Sequence, residues 1–165
     1  MIVIDASAMV DALCGARPHP ELLDAIERDL HAPHLLDIEV MSVLRGLERG
    51  RRIDATAAEV AWHDFSDFAI TRHAFSGLAA RVWTLRHQFT TYDAAYLALA
   101  EALDAPLVTT DAKLATSGHG ADVRVLRVGE GRSARQPAVV IESSTMPVVH
   151  PCPRPRIGCP HAEDS

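Results

Sequence analysis

Residues 2–7, Ile2-Val3-Ile4-Asp5-Ala6-Ser7, decide how the rest of this chain is read. Ile2, Val3 and Ile4 form a short apolar, β-branched run, the composition of a strand buried on both faces of a parallel sheet. The run stops at Asp5, and Ser7 follows as an N-cap for a helix through Met9, Val10 and Leu13. Asp5 then stands at the carboxyl end of a central strand beside a helix N-terminus, where open α/β sheets bind ligands. A carboxylate in that position either holds a cation or caps the helix, and this stretch alone weighs the two equally.

Working outward, Gly15 to Pro20 reads as a loop, with Pro20 near the start of a helix over Leu22, Leu23, Ile26 and Leu30. His31-Ala32-Pro33 is a short link containing a brief strand. Leu35 to Arg49 has helical spacing, with Leu36, Val40, Val43, Leu44 and Leu47 apolar and Glu39 near its beginning. Gly50 stops it. Arg45, Arg49, Arg51 and Arg52 enrich its C-terminal end in positive charge, as the helix dipole favours; a solvated helix end outweighs contact with RNA phosphates as their role.

Asp54 is placed to N-cap a helix over Ala57, Val60, Ala61 and Phe65. Ala69-Ile70-Thr71 is a weak strand, and Leu78 to His87 is helical again, with Leu78, Val82 and Leu85 on one side. Trp62 and Trp83 fall at helical positions among apolar neighbours and read as core or interface. Thr90-Thr91-Tyr92-Asp93 opens a helix rich in alanine and leucine that runs to Leu103. Pro106-Leu107-Val108-Thr109-Thr110 is a second buried strand, and it also ends on a carboxylate, Asp111. A short helix with Lys113 and Leu114 follows, then a last strand at Val123 to Val128. The alternation of strand and helix predicts an α/β sandwich with a mainly parallel sheet.

From residue 129 the character changes. Six of the ten prolines lie between Pro137 and Pro160, and no periodic pattern survives. The domain reading is therefore a folded unit over 1–128 and a proline-rich tail over 129–165, expected to be disordered. His150, Cys152, Cys159 and His161 flank a proline-rich loop there, but the cysteines are further apart than in the usual structural zinc pairs, and an unstructured tail is the stronger reading.

Bulk composition narrows the class. A chain of 165 residues is enough for one domain with a real core. With 48% apolar and 23% charged residues it has an ordinary soluble composition. No apolar run approaches the roughly 20 residues of a membrane span, and the N-terminus lacks the pattern of a signal peptide. Three cysteines make a disulfide framework unattractive, so a cytosolic location is expected. Cys14 reads as a small packed residue. The net charge of −6 excludes a basic nucleic-acid coat protein. It leaves room for a nuclease that recruits phosphate through a metal, and it suits a basic protein partner.

Four carboxylates occupy matching places: Asp5 and Asp111 directly after buried strands, Glu39 and Asp93 in the first turns of helices. In a right-handed doubly wound sheet, strand ends and helix starts meet on one edge, so the four can converge. Crowded carboxylates raise each other's pKa values, and a divalent cation relieves the repulsion. Hard oxygen ligands favour Mg²⁺ or Mn²⁺ over Zn²⁺. Such a site polarises a phosphodiester and activates water. Ser7, Thr109 and Thr110 are candidates to hydrogen-bond the ligands or the phosphate, and Lys113 to neutralise phosphate charge. Asp11 and Asp37 are further acids nearby, but Asp37, two residues from Glu39 on a helix, should point elsewhere. The plainer reading of each acid, a helix cap or a solvated strand end, is less easily held for all four together.

Taken in order, Ile-Val-Ile-Asp5-Ala-Ser7, Leu-Leu-Asp-Ile-Glu39-Val, Thr-Thr-Tyr-Asp93-Ala-Ala-Tyr and Leu-Val-Thr-Thr-Asp111-Ala-Lys-Leu resemble a PIN domain. More closely, they resemble the VapC toxins of bacterial toxin–antitoxin systems. The likeness spans about residues 1–128 and implies a PIN-like three-layer α/β/α sandwich. It also implies a Mg²⁺-dependent endoribonuclease, with Mn²⁺ as the alternative metal, whose acidic ligands are Asp5, Glu39, Asp93 and Asp111. A homodimer and an inhibitory cognate antitoxin of the VapB kind are further implications. The competing reading is a PIN-like RNA- or protein-binding regulatory module without catalysis, against which the intact set of acids argues. A haloacid-dehalogenase-like phosphatase wants a second Asp where Ser7 stands. A receiver domain wants an acidic pair where Asp5 stands alone.

Overall fold

The computed structural model describes residues 1–127. Five strands, β1 (Ile2–Ile4), β2 (Leu30–Pro33), β3 (Ile70–His73), β4 (Leu107–Thr109) and β5 (Val123–Val125), form one sheet in the order β3-β2-β1-β4-β5. Every pairing is parallel, with Val3 opposite both His31 and Leu107 at the centre. β1 is buried throughout, which is why its three residues are all apolar and β-branched.

Among the described residues the strands are joined by six α-helices: α1 (Ala6–Cys14), α2 (Pro20–Ile26), α3 (Leu36–Arg49), α4 (Ala55–Asp67), α5 (Ala79–Leu85) and α6 (Thr91–Leu103). The path from β1 to β2 to β3 moves outward in one direction, and the return to β4 and β5 moves in the other. Right-handed crossovers therefore lay α1–α4 on one face and α5–α6 on the other, a three-layer α/β/α sandwich. Contacts agree: α1 packs on α2, α3 and α4, while α6 packs on α5 and on β1 and β2. Within α6, Ala94 to Ala100 are all buried, so this helix is apolar all round rather than striped. The strand order reverses between β1 and β4, and Asp5 and Asp111 follow those two strands. This is the topological switch point, where α/β sheets bind ligands.

Several local expectations are corrected. α1 begins earlier than expected, and its N-cap is Asp5, whose Oδ1 accepts from the Ala8 N–H at 2.8 Å. Ser7 lies inside the first turn. Leu30 opens β2 instead of closing α2, because Asp29 carries the chain to pairing with Ile2. The helix expected over 78–87 is α5 preceded by a single 3-10 turn, Phe75–Gly77. Trp62 is half-buried and packs beside Phe65, with ring centroids 5.7 Å apart. Trp83 is 68% exposed with the Arg86 guanidinium stacked over it, so it is no core residue of this chain. The strand expected over 123–128 is paired over Val123–Val125. The tail reading, with its four Cys and His residues, lies outside the described residues. Among the described residues no helix is long and apolar enough to cross a membrane.

Candidate active site

Each of the four acids is delivered by a different element. Asp5 ends β1, Glu39 lies in the first turn of α3, Asp93 in the first turn of α6, and Asp111 follows β4. All four line one cleft of about 360 Å³, together with Ser7, Ser42, Val43, Tyr96 and Leu114.

Asp5 is the anchor. It is buried, and its two oxygens are surrounded by donors. Oδ1 accepts from the Ala8 N–H, Oδ2 accepts from the Thr109 hydroxyl at 2.6 Å, and the Ser7 hydroxyl donates across both at 2.8 and 3.0 Å. The two readings of Asp5 thus coexist: it caps α1 and still faces the cleft. The hydroxyls connect it onward. Thr109 accepts from the Asp111 N–H at 2.8 Å, and Ser7 accepts from the Thr110 N–H at 3.0 Å. Burial pushes the Asp5 carboxyl above its ordinary range, the three donors oppose that rise, and the charge of Asp111 adds to it.

Glu39 is half-buried, and its Oε2 accepts from the Tyr96 hydroxyl at 2.6 Å. Burial is also the main cause holding its carboxyl above the usual range, with Tyr96 opposing and Asp5 and Asp93 adding. Asp93 Oδ2 accepts from the Thr90 hydroxyl at 2.8 Å, completing a reciprocal cap in which Thr90 accepts from the Asp93 N–H. Asp111 Oδ1 accepts from the Lys113 N–H at 2.9 Å, starting the short turn Ala112–Ala115.

The donor set is all hard oxygen, and the acids feel one another, as a divalent cation of the Mg²⁺ class requires. Among the described residues, however, no three Asp, Glu, His or Cys side chains are gathered into a ready-made metal cage. The hydrogen bonds explain the spacing: each acid is drawn to its own donor, and mutual repulsion favours that arrangement until a cation offsets it. The chemistry of the residues fits such an ion; the closing of the cage is left to its binding.

Of the supporting residues, Ser7 and Thr109 are brought to Asp5, while Thr110 contributes its backbone N–H to Ser7. Lys113 is exposed and does not line the cleft; its contribution is the backbone donor to Asp111. Asp37 turns away as expected and forms a bidentate pair with Arg72, with contacts of 2.7–3.0 Å. Cys14 packs against the core, donates to the Val10 carbonyl, and has its thiol pushed up by burial, which does not suit a nucleophile. Tyr96, the last residue of the Thr-Thr-Tyr-Asp93-Ala-Ala-Tyr motif, is a site residue to which the sequence assigned no role. Its position three residues after Asp93, on the same helical face, was the available signal. A second cleft of similar size, between α3 and α4, is lined by Met41, Leu44, Ala58 and Trp62 among others and gathers no such set of acids.

A parallel sheet with a carboxylate cluster at its switch point defines a class, and the comparisons name it. The model of the PIN domain family matches residues 2–118, so this chain is a PIN-domain protein. Within that class it belongs to the VapC family. It is 43% identical over 119 residues to Ribonuclease VapC9 of Mycobacterium tuberculosis, covering 72% of this chain and 92% of that one. To Ribonuclease VapC1 of the same organism it is 38% identical over 129 residues, covering 76% and 97%. Among solved structures, it superposes on PAE2754 from Pyrobaculum aerophilum with a TM-score of 0.53 at 28% identity, covering 68% of this chain and 82% of that one. The sarcin-ricin-loop-cleaving toxin VapC20 of M. tuberculosis gives a TM-score of 0.56 at 16% identity, covering 75% and 99%, a likeness of fold.

Proposed function

We propose that this protein is the toxic ribonuclease of a type II toxin–antitoxin pair, an endoribonuclease dependent on Mg²⁺ or Mn²⁺. The observation that carries the reading is the convergence of Asp5, Glu39, Asp93 and Asp111 on one cleft from four separate elements. The relatives' names supply the substrate class, and the matched stretch 2–118 contains all four acids.

Asp5, Glu39, Asp93 and Asp111 would hold the ion. When bound, it supplies a Lewis acid that polarises the scissile phosphodiester and acidifies the attacking water. The remaining work belongs to the chain. Ser7 and Thr109 commit their hydroxyl protons to Asp5, which keeps its carboxylate in one orientation. Thr90 does the same for Asp93, and the Lys113 N–H for Asp111. Ser42 and Val43, one turn beyond Glu39 on α3, form a wall against which the RNA strand can rest.

The same reading brings a cognate VapB-like antitoxin, whose inhibitory segment is basic where it meets the acidic cleft, and a homodimer as the working form. The chain's net charge of −6 favours such a partner.

The test is cleavage of total cellular RNA by purified protein with Mg²⁺, with Mn²⁺ and with EDTA, beside Asp93→Asn. Discrete fragments that need both metal and Asp93 are expected. The variant should lose more than the roughly 10- to 100-fold that removal of an outer partner of a metal ligand costs. Folded, antitoxin-free protein that cuts nothing in any metal would shift the reading to a non-catalytic binding module.

A further inference from the structure

We infer that Tyr96 is a positioning residue for the acidic site, holding Glu39 in the one orientation from which it can serve the metal. The inference rests on the metal-dependent reading above.

Tyr96 is 3% exposed, and its hydroxyl donates to Glu39 Oε2 at 2.6 Å. This is the short distance of a hydroxyl donating to an ionised carboxylate. It is also the one hydrogen bond that the Glu39 carboxylate makes among the described residues, so no other hydrogen bond there fixes its flexible side chain. The hydroxyl therefore joins two elements: it stands on α6 one turn after Asp93 and donates to the acid of α3.

The chemistry needs such a device at Glu39 more than elsewhere. Asp5, Asp93 and Asp111 are short side chains, each held by a hydroxyl or amide within three residues of it, and Asp5 by Thr109 as well; Glu39 has no such local donor among the described residues. Glu39 has an additional rotatable bond and reaches its partner across 57 positions of sequence. Freed of Tyr96, it would sample rotamers that leave its charge outside the cleft, and each binding event would have to order it again.

The test is Tyr96→Phe, which removes the hydroxyl and leaves the ring in place, read by Mn²⁺ titration calorimetry on the full chain. Mn²⁺ affinity is expected to fall about 10-fold, the scale on which outer partners of metal ligands act. The metal concentration giving half-maximal RNA cleavage should rise in step, and saturating metal should restore most of kcat. Because Tyr96 acts through Glu39, the double variant with Glu39→Gln should bind Mn²⁺ no more weakly than Glu39→Gln alone. Unchanged affinity in Tyr96→Phe overturns the inference, and so does an additive loss in the double variant. Wild-type protein that neither binds Mn²⁺ nor cuts RNA overturns the metal-dependent reading itself, a result distinct from either.

Discussion

At the residue scale, Thr109 shows what organises the site before any ion arrives. Its side chain is fully buried at the end of β4, donates to Asp5 at 2.6 Å and accepts from the Asp111 N–H at 2.8 Å. One hydroxyl thus ties together the two acids of the switch point. Thr109→Val keeps the shape but orphans the Asp111 amide and removes a donor from a buried carboxylate, at a cost of about 1–3 kcal/mol. Thermal denaturation of the metal-free protein should show a lower Tm for Thr109→Val, with Thr109→Ser recovering most of it; equal Tm values for Val and wild type would contradict this linkage. Such residues differ in how visible they are in the sequence. Asp5 and Asp111 stand out because a charge that ends an apolar run needs a reason. Tyr96 does not stand out, since a tyrosine among Ala and Leu satisfies the apolar pattern of α6, and its partner Glu39 adjoins it only in three dimensions.

At the scale of elements, local signals and pairing across the sheet compete. β1 was legible because its residues are all apolar and β-branched, and β4 because Leu107 and Val108 form an apolar run that ends on a carboxylate. The cap of α4 was legible because an Asp side chain accepts from the N–H three residues on, as Asp54 does from Ala57; Thr90 caps α6 in the same way, at a position the sequence marked only as the opening of that helix. Leu30 misleads because it continues the helical spacing of Ile26, whereas what holds it is pairing with Ile2, far off in sequence. Asp5 rather than Ser7 is the cap because the strand passes into α1 with no linker, so the acid that ends β1 already stands at the N-cap. Glu101 illustrates a tie between elements that no periodicity reveals. From α6 it accepts Arg81 of α5 through two contacts of 2.6 and 2.9 Å, and the Gly120 N–H ahead of β5 at 2.7 Å. The Arg81 guanidinium, with help from that amide, holds the Glu101 carboxyl below its ordinary range. A depressed folded-state pKa means that the stabilisation is full above the unfolded carboxylate range, near about 4.3, and is lost as pH falls through and below it. Glu101→Gln should therefore lower stability by about 1–2 kcal/mol at pH 7. Urea denaturation should find the gap between variant and wild type closing as pH drops below 4; a gap independent of pH would mean that the charge on Glu101 contributes nothing.

At the scale of the whole molecule, the parallel sheet and the convergence of strand ends with helix starts follow from a few rules of handedness. For that reason four acids spread over more than a hundred residues could be assigned to one edge before their positions were known. The same rules do not say how closely the acids approach, because that depends on the hydroxyls and amides competing for them. Where the folded unit ends is a separate question. The PIN match stops at residue 118, one compact unit comprises Met1–Glu130, and 129 aligned residues cover 97% of Ribonuclease VapC1. All four acids, Tyr96 and every described strand lie within that unit. A chain ending at Glu130 is expected to keep the Tm of the full chain and, on the proposed activity, its metal-dependent cleavage rate to within about twofold, since it retains every described strand and every residue lining the cleft. Measuring both on the same preparation separates the possible roles of residues 131–165. A lower Tm would make them part of the fold, whereas an unchanged Tm with slower cleavage would make them part of how RNA is held.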